Sequence, residues 1–561
     1  MNRIKQIFAG VKGKIIIGVI STGLIIGLTS AGAGADLFEM AKNIDIFTSV
    51  YKELNTYYVD DIDPNKLMRT GIDAMVESLD PYTNYISEAE IEGYKFQITG
   101  NYGGIGASIR PIDGIPTVTE CFDGFAADKA GLQPGDLILE IGGKKTSSID
   151  DAGISDLLRG AAGTSVILKV QRVLENKIFE VNITREDIEV PNVPYYGFAE
   201  DHIGYIILTQ FTEESGLNVG NALKELKKQD PDMKGVILDL RGNPGGLLRE
   251  AVNVSNVFLN KGEEVCSTIG RVAEWRQKFN TLNPGIDTEI PLVVLANRTS
   301  ASASEIVAGT IQDYDRGIIL GEKSFGKGLV QTTRDISYNT KLKLTTAKYY
   351  IPSGRCIQAL DYSHRNEDGS VGKIPDSLKT AFKTKNGRTV FDGGGIDPDV
   401  YVDQINYKDI TLSLLKKNLI FNYATKYKFD HPEIKPSNEF SLTETEYDEF
   451  VKWLSDKDYD YTTETEKELE DFETSAKEDA YLDAVKSEVE ALKVKIGHDK
   501  QKDLYKFKDE ILFELNSEIA SRYYHEDGRI EVAFSADPDI LKAVEVLNDA
   551  SKYTQLLNDV K

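Results

Sequence analysis

Four short apolar runs lie between residues 202 and 321: "HIGYIILTQF", "KGVILDLRG", "PLVVLANR" and "GIILG". Runs this brief and this continuous read as buried strands, and long helical patterns separate the first three. Strands alternating with helices define an α/β architecture, which frames the region from about 200 to 403.

The ends of these runs carry unusual residues. After "PLVVLAN" comes "RTSASASEIVAG", where Ser300, Ser302 and Ser304 alternate with Ala301 and Ala303 before a helical pattern begins. A serine at that junction stands at a helix N-terminus, where free N–H groups favour negative charge. It is placed to act as a nucleophile with amides nearby to hold an oxyanion. Ser302-x-x-Glu305 is equally a capping box, and such boxes begin many helices that have no chemistry. The cap accounts for Ser302 and Glu305. It leaves the run of small residues unexplained, and such a run fits close approach of a substrate backbone.

"ILDLRGNPGGLLREA" ends a strand in Asp239-Leu240-Arg241 and turns through Pro-Gly-Gly. The turn can aim its glycine amides outward, as an oxyanion hole requires, or it is a plain tight turn. "GEKSFGKGLVQ" nearly spells a phosphate loop, but Gly328 stands where Ser or Thr must hold magnesium, and strand-like alternation follows where a helix is required. The nucleotide reading fails on both counts. What remains is Lys327 between two glycines: an exposed lysine, or a base. To serve as a base its pKa must fall from about 10.4 toward 7–8, about 3–4 kcal/mol of differential solvation, which an apolar pocket supplies. The five histidines, His202, His364, His431, His498 and His525, lie outside all three fragments. A Ser–His–Asp triad stays open, since triads assemble in space, but a serine–lysine pair accounts for more of the pattern.

Elsewhere the texture changes by segment. Residues 1–35 have a basic start (Arg3, Lys5, Lys12, Lys14), an uncharged apolar run and an Ala33-Gly34-Ala35 end, the pattern of a cleaved signal peptide or a retained anchor. Either form predicts an exported chain, in the periplasm or cell envelope, with the anchor tying it to the inner membrane. Residues 36–95 read as helical, with Ile44, Phe47, Val50, Tyr51 and Leu54 on one stripe. Residues 96–190 are rich in short strands with glycine between them. Residues 404–561 are acidic and helical, and Tyr447, Phe450, Trp453, Tyr459 and Tyr461 mark them as folded. A net charge of -25 excludes a nucleic-acid partner read through its backbone. Three scattered cysteines support neither a disulfide framework nor a zinc ribbon.

Taken together, "ILDLRGNPGG", "SASASEIVAGTIQDYDR" and "GEKSFGKGLVQT", with "LTTAKYYIPSGRCIQ" and "GGIDPDV" around them, resemble the carboxyl-terminal processing proteases over residues 40 to 403. These are tail-specific serine peptidases with a crotonase-like (ClpP/crotonase-type) core and an inserted PDZ domain. The resemblance implies a multidomain α/β fold with N-terminal helices, a PDZ insert at 96–190, a protease core at 191–403 and a separate C-terminal helical domain. Residues beyond 403 match no pattern of the family. By the same resemblance Ser302 is the nucleophile, Lys327 the base and Gln331 its orienting partner. Asp313 is a further catalytic residue, and the amides of Gly246 and Ala303 form the oxyanion hole. Gly242 departs from a usual asparagine.

In the PDZ insert, Gly104, Ile105 and Gly106 would hold a substrate's terminal carboxylate, with the peptide added to a sheet edge, and Arg159 would couple the insert to the active site. No metal or organic cofactor is implied. The expected partners are proteins or peptides with free C-termini, an adaptor, and a second copy of the chain. A rival reading is a catalytically silent PDZ scaffold of the envelope.

Overall fold

The computed structural model describes residues 33–366, 369–403, 406–496 and 500–559. The leader expected at the start of the chain, apart from residues 33–35, lies outside them, as does His498. Among the described residues no helix is long and apolar enough to cross a membrane. The chain divides into two compact units, residues 1–85 and 86–561.

The first unit holds helices Ala33–Tyr57 and Pro64–Glu77. Asp63 caps the second, accepting from Asn65 N–H and Lys66 N–H, with Pro64 at the position where a missing N–H is harmless. The helical reading of this stretch holds. Its apolar stripe, however, is not a core: Ile44, Phe47, Val50 and Leu54 are exposed.

The second unit begins with helix Ile91–Thr99, which feeds strand Asn101–Gly104. That strand pairs with Glu186–Glu189, so entry to and exit from the intervening segment lie side by side, as an inserted domain requires. Between them lies a six-stranded antiparallel sheet: Ala107–Ile112, Ile115–Cys121, Leu137–Ile141, Ser165–Arg172 and Lys177–Thr184 follow one another in chain order, and the short strand Lys144–Lys145 pairs with Leu137–Ile141. Val118, Ile138, Leu168 and Val170 are fully buried in it.

Next comes a six-stranded sheet, also in chain order: β1 (Tyr195–Glu200), β2 (Ile203–Ile207), β3 (Gly235–Asp239), β4 (Leu292–Ala296), β5 (Ile318–Gly321) and β6 (Val400–Tyr401). β1 is antiparallel to β2 and the remaining pairs are parallel. The apolar runs of the sequence are β2 to β5, and every residue of β3, β4 and β5 is buried. Helices α1 (Ser215–Gln229), α2 (Leu248–Phe258) and α3 (Ala303–Asp313) contribute to the apolar cluster on one face.

A parallel sheet needs cover on both faces, and here the second cover comes from the far end of the chain. Three C-terminal helices, α4 (Lys508–Ala533), α5 (Pro538–Asn548) and α6 (Ala550–Asn558), meet it. Ile540, Ala543, Val546 and Leu547 of α5 pack on Ile237, Val293, Leu295 and Ile318. A Cβ at Gly235 would stand 2.7 Å from Leu547 Cδ2, so helix and strand touch directly. Tyr553 of α6 accepts from Leu292 N–H at 2.9 Å and donates to Leu292 O at 3.2 Å. The last helices of the chain therefore reach back onto the core sheet. A helical cluster around Tyr423, Tyr447 and Phe450 follows the core as expected, and α5 and α6 of the same C-terminal region pack on the sheet.

Candidate active site

The three serines of the S-A-S-A-S run have different fates. Ser300 and Ser304 are buried, and both hydroxyls tie the serine segment to the loop after β3. Ser300 Oγ donates to Leu240 O at 2.8 Å, and Ser304 Oγ donates to Asn243 O at 2.9 Å. Ala301 N–H adds a bond to Asn243 O at 3.0 Å. Ser302 alone is half-exposed, at the N-terminal edge of α3, with φ 56° and ψ -110°. A serine rarely adopts that conformation, which stores about 1–3 kcal/mol and persists only where the surroundings enforce it.

The surroundings are the Pro-Gly-Gly turn. A Cβ on Gly245 (φ 97°) would lie 2.7 Å from Ala301 O, 2.8 Å from Ser302 Cβ and 2.9 Å from Ala303 N. One on Gly246 (φ 148°) would lie 2.2 Å from Phe211 O. What comes close to the small residues is thus the chain's own glycine turn. Gly245 N–H is spent on Asn243 Oδ1 and Leu247 N–H on Phe211 O, while Gly246 between them is exposed. Asn243, fully buried, organises the loop: its Nδ2 donates to Leu208 O at 2.7 Å. At Gly242 φ is 72° with open space around a Cβ, a conformation asparagine also tolerates, so the departure from the family pattern is a neutral one.

Glu305 does more than cap the helix. Its Oε2 accepts from Ser302 N–H (2.8 Å) and Lys327 N–H (2.9 Å). Its Oε1 accepts from Ser324 Oγ (2.6 Å) and Gly326 N–H (2.7 Å). A single carboxylate, fully buried, therefore fastens the serine and the lysine loop to each other. Burial pushes its carboxyl up, and the four donors pull it back only in part. The glycines around Lys327 are required by packing: a Cβ at Gly326 would meet Ala359 Cβ at 2.5 Å, and one at Gly328 would meet Gln358 N at 2.8 Å. Gln358 Oε1 accepts from Gly328 N–H, and Ile396 N–H donates to Ser324 Oγ, so "SGRCIQ" and "GGIDPDV" buttress the loop.

Of the remaining site residues, Gln331 lies on the strand that leaves the lysine loop and donates to Thr345 Oγ1 at 3.2 Å. Ala303 is the first residue of α3. Asp313 is not brought to the site. It ends α3, ten residues after Ala303, or about 15 Å along the axis at about 1.5 Å per residue. There it pairs with buried Arg355 at 2.9 Å and accepts from Ser353 N–H at 2.9 Å. Its placement is that of a structural strut. Tyr349 and Asn243 were not singled out from sequence, yet Tyr349, fully buried, donates to Ser302 O at 3.2 Å. His202 precedes β2 whereas Ser302 follows β4, at opposite ends of a parallel sheet, and it pairs with Asp230. Among the described residues no cluster of His, Cys, Asp or Glu is arranged to hold a metal.

A second site lies in the inserted sheet. A cavity of about 400 Å³ runs between strand Ala107–Ile112 and helix Asp151–Leu158, lined by Gly104, Ile105, Ile109, Ile154, Leu158 and Arg159. Gly106 (φ 73°) leaves no room for a Cβ, which would meet Phe125 Cβ at 2.5 Å. The Arg159 guanidinium stands over Tyr102 (5.2 Å) and Phe96 (5.7 Å). Strand edge, glycine loop and apolar trough together form a groove for an extended peptide end.

Three family models match the chain. Peptidase family S41 matches residues 202–363, a PDZ domain matches 123–172, and "Probable PDZ-protease, C-terminal helical domain" matches 410–547. The last match overturns the expectation that residues beyond 403 fit no pattern. A carboxy-terminal-processing protease of Bartonella bacilliformis is 39% identical over 57% of this chain and 73% of its own. A "Probable CtpA-like serine protease" of Staphylococcus aureus is 32% identical over 71% of this chain and 82% of its own. The solved photosystem II D1 C-terminal processing protease is 26% identical, covering 64% of this chain and 92% of its own at a TM-score of 0.34. With a protease core, an inserted PDZ domain and relatives this similar over most of their length, the chain belongs to peptidase family S41, among the carboxy-terminal-processing serine proteases.

Proposed function

We propose that this peptidase is an exported endopeptidase that takes unfolded or tail-exposed envelope proteins by their C-termini and cleaves them with a Ser302–Lys327 pair. Neutral Lys327 takes the Ser302 proton as Oγ attacks the scissile carbonyl. The amides of Gly246 and Ala303 hold the oxyanion, with Gln331 orienting the lysine. The lysine then returns the proton to the leaving amine; neutral again, it takes a proton from the water that attacks the acyl-enzyme and passes it to Ser302 Oγ as the acid product leaves. The observation that carries this reading is the one Glu305 oxygen shared by Ser302 N–H and Lys327 N–H. It fixes the two backbones together although they lie on different elements.

The apolar PDZ groove fits an apolar terminal residue, and Arg159 serves as its link to the protease. Phe96, beneath Arg159, shares helix Ile91–Thr99 with Tyr94, whose hydroxyl donates to Thr333 Oγ1 at 2.6 Å. Thr333 is two residues from Gln331 on one strand, hence on the same face. The export reading rests on the basic-then-apolar leader, which also supplies a membrane anchor if retained.

The test uses chain lacking residues 1–35, with Ser302→Ala beside it, incubated with an unstructured protein bearing an apolar free C-terminus and followed by mass spectrometry. Cleavage by the parent alone is expected. Cleavage by both removes Ser302 as nucleophile. Tail binding without cleavage in either returns the silent-scaffold reading.

A further inference from the structure

The loop that carries the glycine turn is anchored on a second side, away from the serine. Arg241 lies five residues before Gly246, and each nitrogen of its guanidinium meets a carboxylate. Nε and Nη2 reach Asp239 (3.0 and 2.7 Å), and Nη1 reaches Asp537 (2.8 Å) and Asp539 (2.9 Å). Tyr205 donates its hydroxyl to Asp239 at 2.7 Å. Asp537 and Asp539 stand at the start of α5, where Asp537 also caps the helix by accepting from Asp539 N–H and Ile540 N–H. Three carboxylates thus surround one guanidinium, and Asp239 and Asp539 are each 2–3% exposed. Asp539 Oδ1 is buried with no hydrogen-bond partner.

Docking of α5 does not need this arrangement. Its apolar face already fixes it on the sheet through Ile540, Ala543 and Leu547. Burying surplus negative charge and an unmet oxygen works against folding, so the cluster has another use. The groups it restrains are Arg241 and, through five residues of backbone, the glycine turn.

We propose that Asp537 and Asp539 are positioning residues for peptide cleavage, acting through Arg241 to hold the Gly245–Gly246 turn against Ser302. The C-terminal segment is then part of the cleavage machinery. This rests on the reading of Gly246 as an oxyanion donor.

The test uses the full chain with Asp537→Ser, which keeps a capping hydroxyl, with Asp539→Asn, and with both. The readouts are kcat and KM on a fluorogenic peptide with an apolar free C-terminus, and the fraction of sites titrated by a serine-directed phosphonate. The double variant should lose about tenfold or more in kcat, as small displacements of an oxyanion donor do, with KM and titre unchanged. A kcat within about twofold of the parent overturns the proposal. So does a loss of kcat matched by an equal loss of titre, which would make the cluster a docking device only. A parent that fails to cleave, or Ser302→Ala that cleaves, sinks the catalytic reading itself, and the proposal with it.

Discussion

Glu305→Gln tests the central feature of the site. The carboxylate accepts four hydrogen bonds, two on each oxygen, in full burial. A carboxamide of the same shape keeps one oxygen and turns the other into a donor. With the amide nitrogen toward Ser302 and Lys327, both of those N–H groups lose their acceptor and face another N–H; with it on the other side Gly326 N–H does, while Ser324 Oγ turns to accept from the new amide. Each unmet donor costs about 1–3 kcal/mol, so even the better orientation costs about 1–3 kcal/mol, a sizeable part of a typical stability of about 5–15 kcal/mol. The segment Ser324–Lys327 lowers that cost only by moving off toward water, and Lys327 goes with it. Two measurements follow the two routes: the urea midpoint, and the rate at which a serine-directed phosphonate labels Ser302. We expect a lower midpoint and a labelling rate reduced about 100-fold in protein that is still folded before the transition. A variant with the parent's midpoint and labelling rate would refute the shared-carboxylate argument.

Gly245→Ala places a methyl less than 3 Å from Ala301 O, Ser302 Cβ and Ala303 N at φ 97°. It should abolish labelling of Ser302 while costing about 1–3 kcal/mol of stability, and normal labelling would show that the turn is not seated against the serine. Asp313→Asn leaves Arg355, 1% exposed, without its counter-charge. The urea midpoint should fall by the equivalent of about 3–5 kcal/mol with kcat per titrated site unchanged, whereas a fall in kcat per site would restore Asp313 to the chemistry. Asp539 has its pKa raised from 3.8 to about 6, first by burial and then by Asp537 and Asp239, against the pull of Arg241. Folding therefore favours its protonated form, and that stabilisation, complete below about pH 4, is lost as pH rises through about 6. At about 1.36 kcal/mol per unit this is about 3 kcal/mol, so Asp539→Asn should gain stability on the parent between pH 4 and 6, and a constant difference across that range would refute the shift.

The parts of this molecule legible in its sequence are those set by local pattern. β2 to β5 are written as apolar runs because strands buried on both faces leave nowhere for charge. The glycine turn, the small residues after β4 and the Gly-Lys-Gly loop stand out because backbone packed this closely excludes side chains. A motif carries no length scale, so the pattern that groups Asp313 with Ser302 does not say how far apart they lie. The rise of α3 puts Asp313 about 15 Å from the serine, and that arithmetic was available from sequence.

What stayed hidden are partners far apart along the chain. Ser300, Ser302 and Ser304 are chemically alike, and only the acceptors Leu240 O and Asn243 O, about 60 residues away, remove the outer two from consideration. Ser302-x-x-Glu305 reads correctly as a helix start, but the same carboxylate's second and third duties depend on a loop that local pattern cannot bring to it. The cover of the sheet is the most instructive case. Continuous apolar runs already demanded two covered faces, and the helices between the strands supply one. The unassigned face was thus a vacancy for helices from outside the core, and those of the acidic C-terminal segment fill it. Asp537 and Asp539 follow from that vacancy: once α5 must lie on β3 and β4, its N-terminal end falls beside Arg241. The carboxylates that make the tail look like a solvated surface are, at this end, turned inward onto the loop beside Ser302.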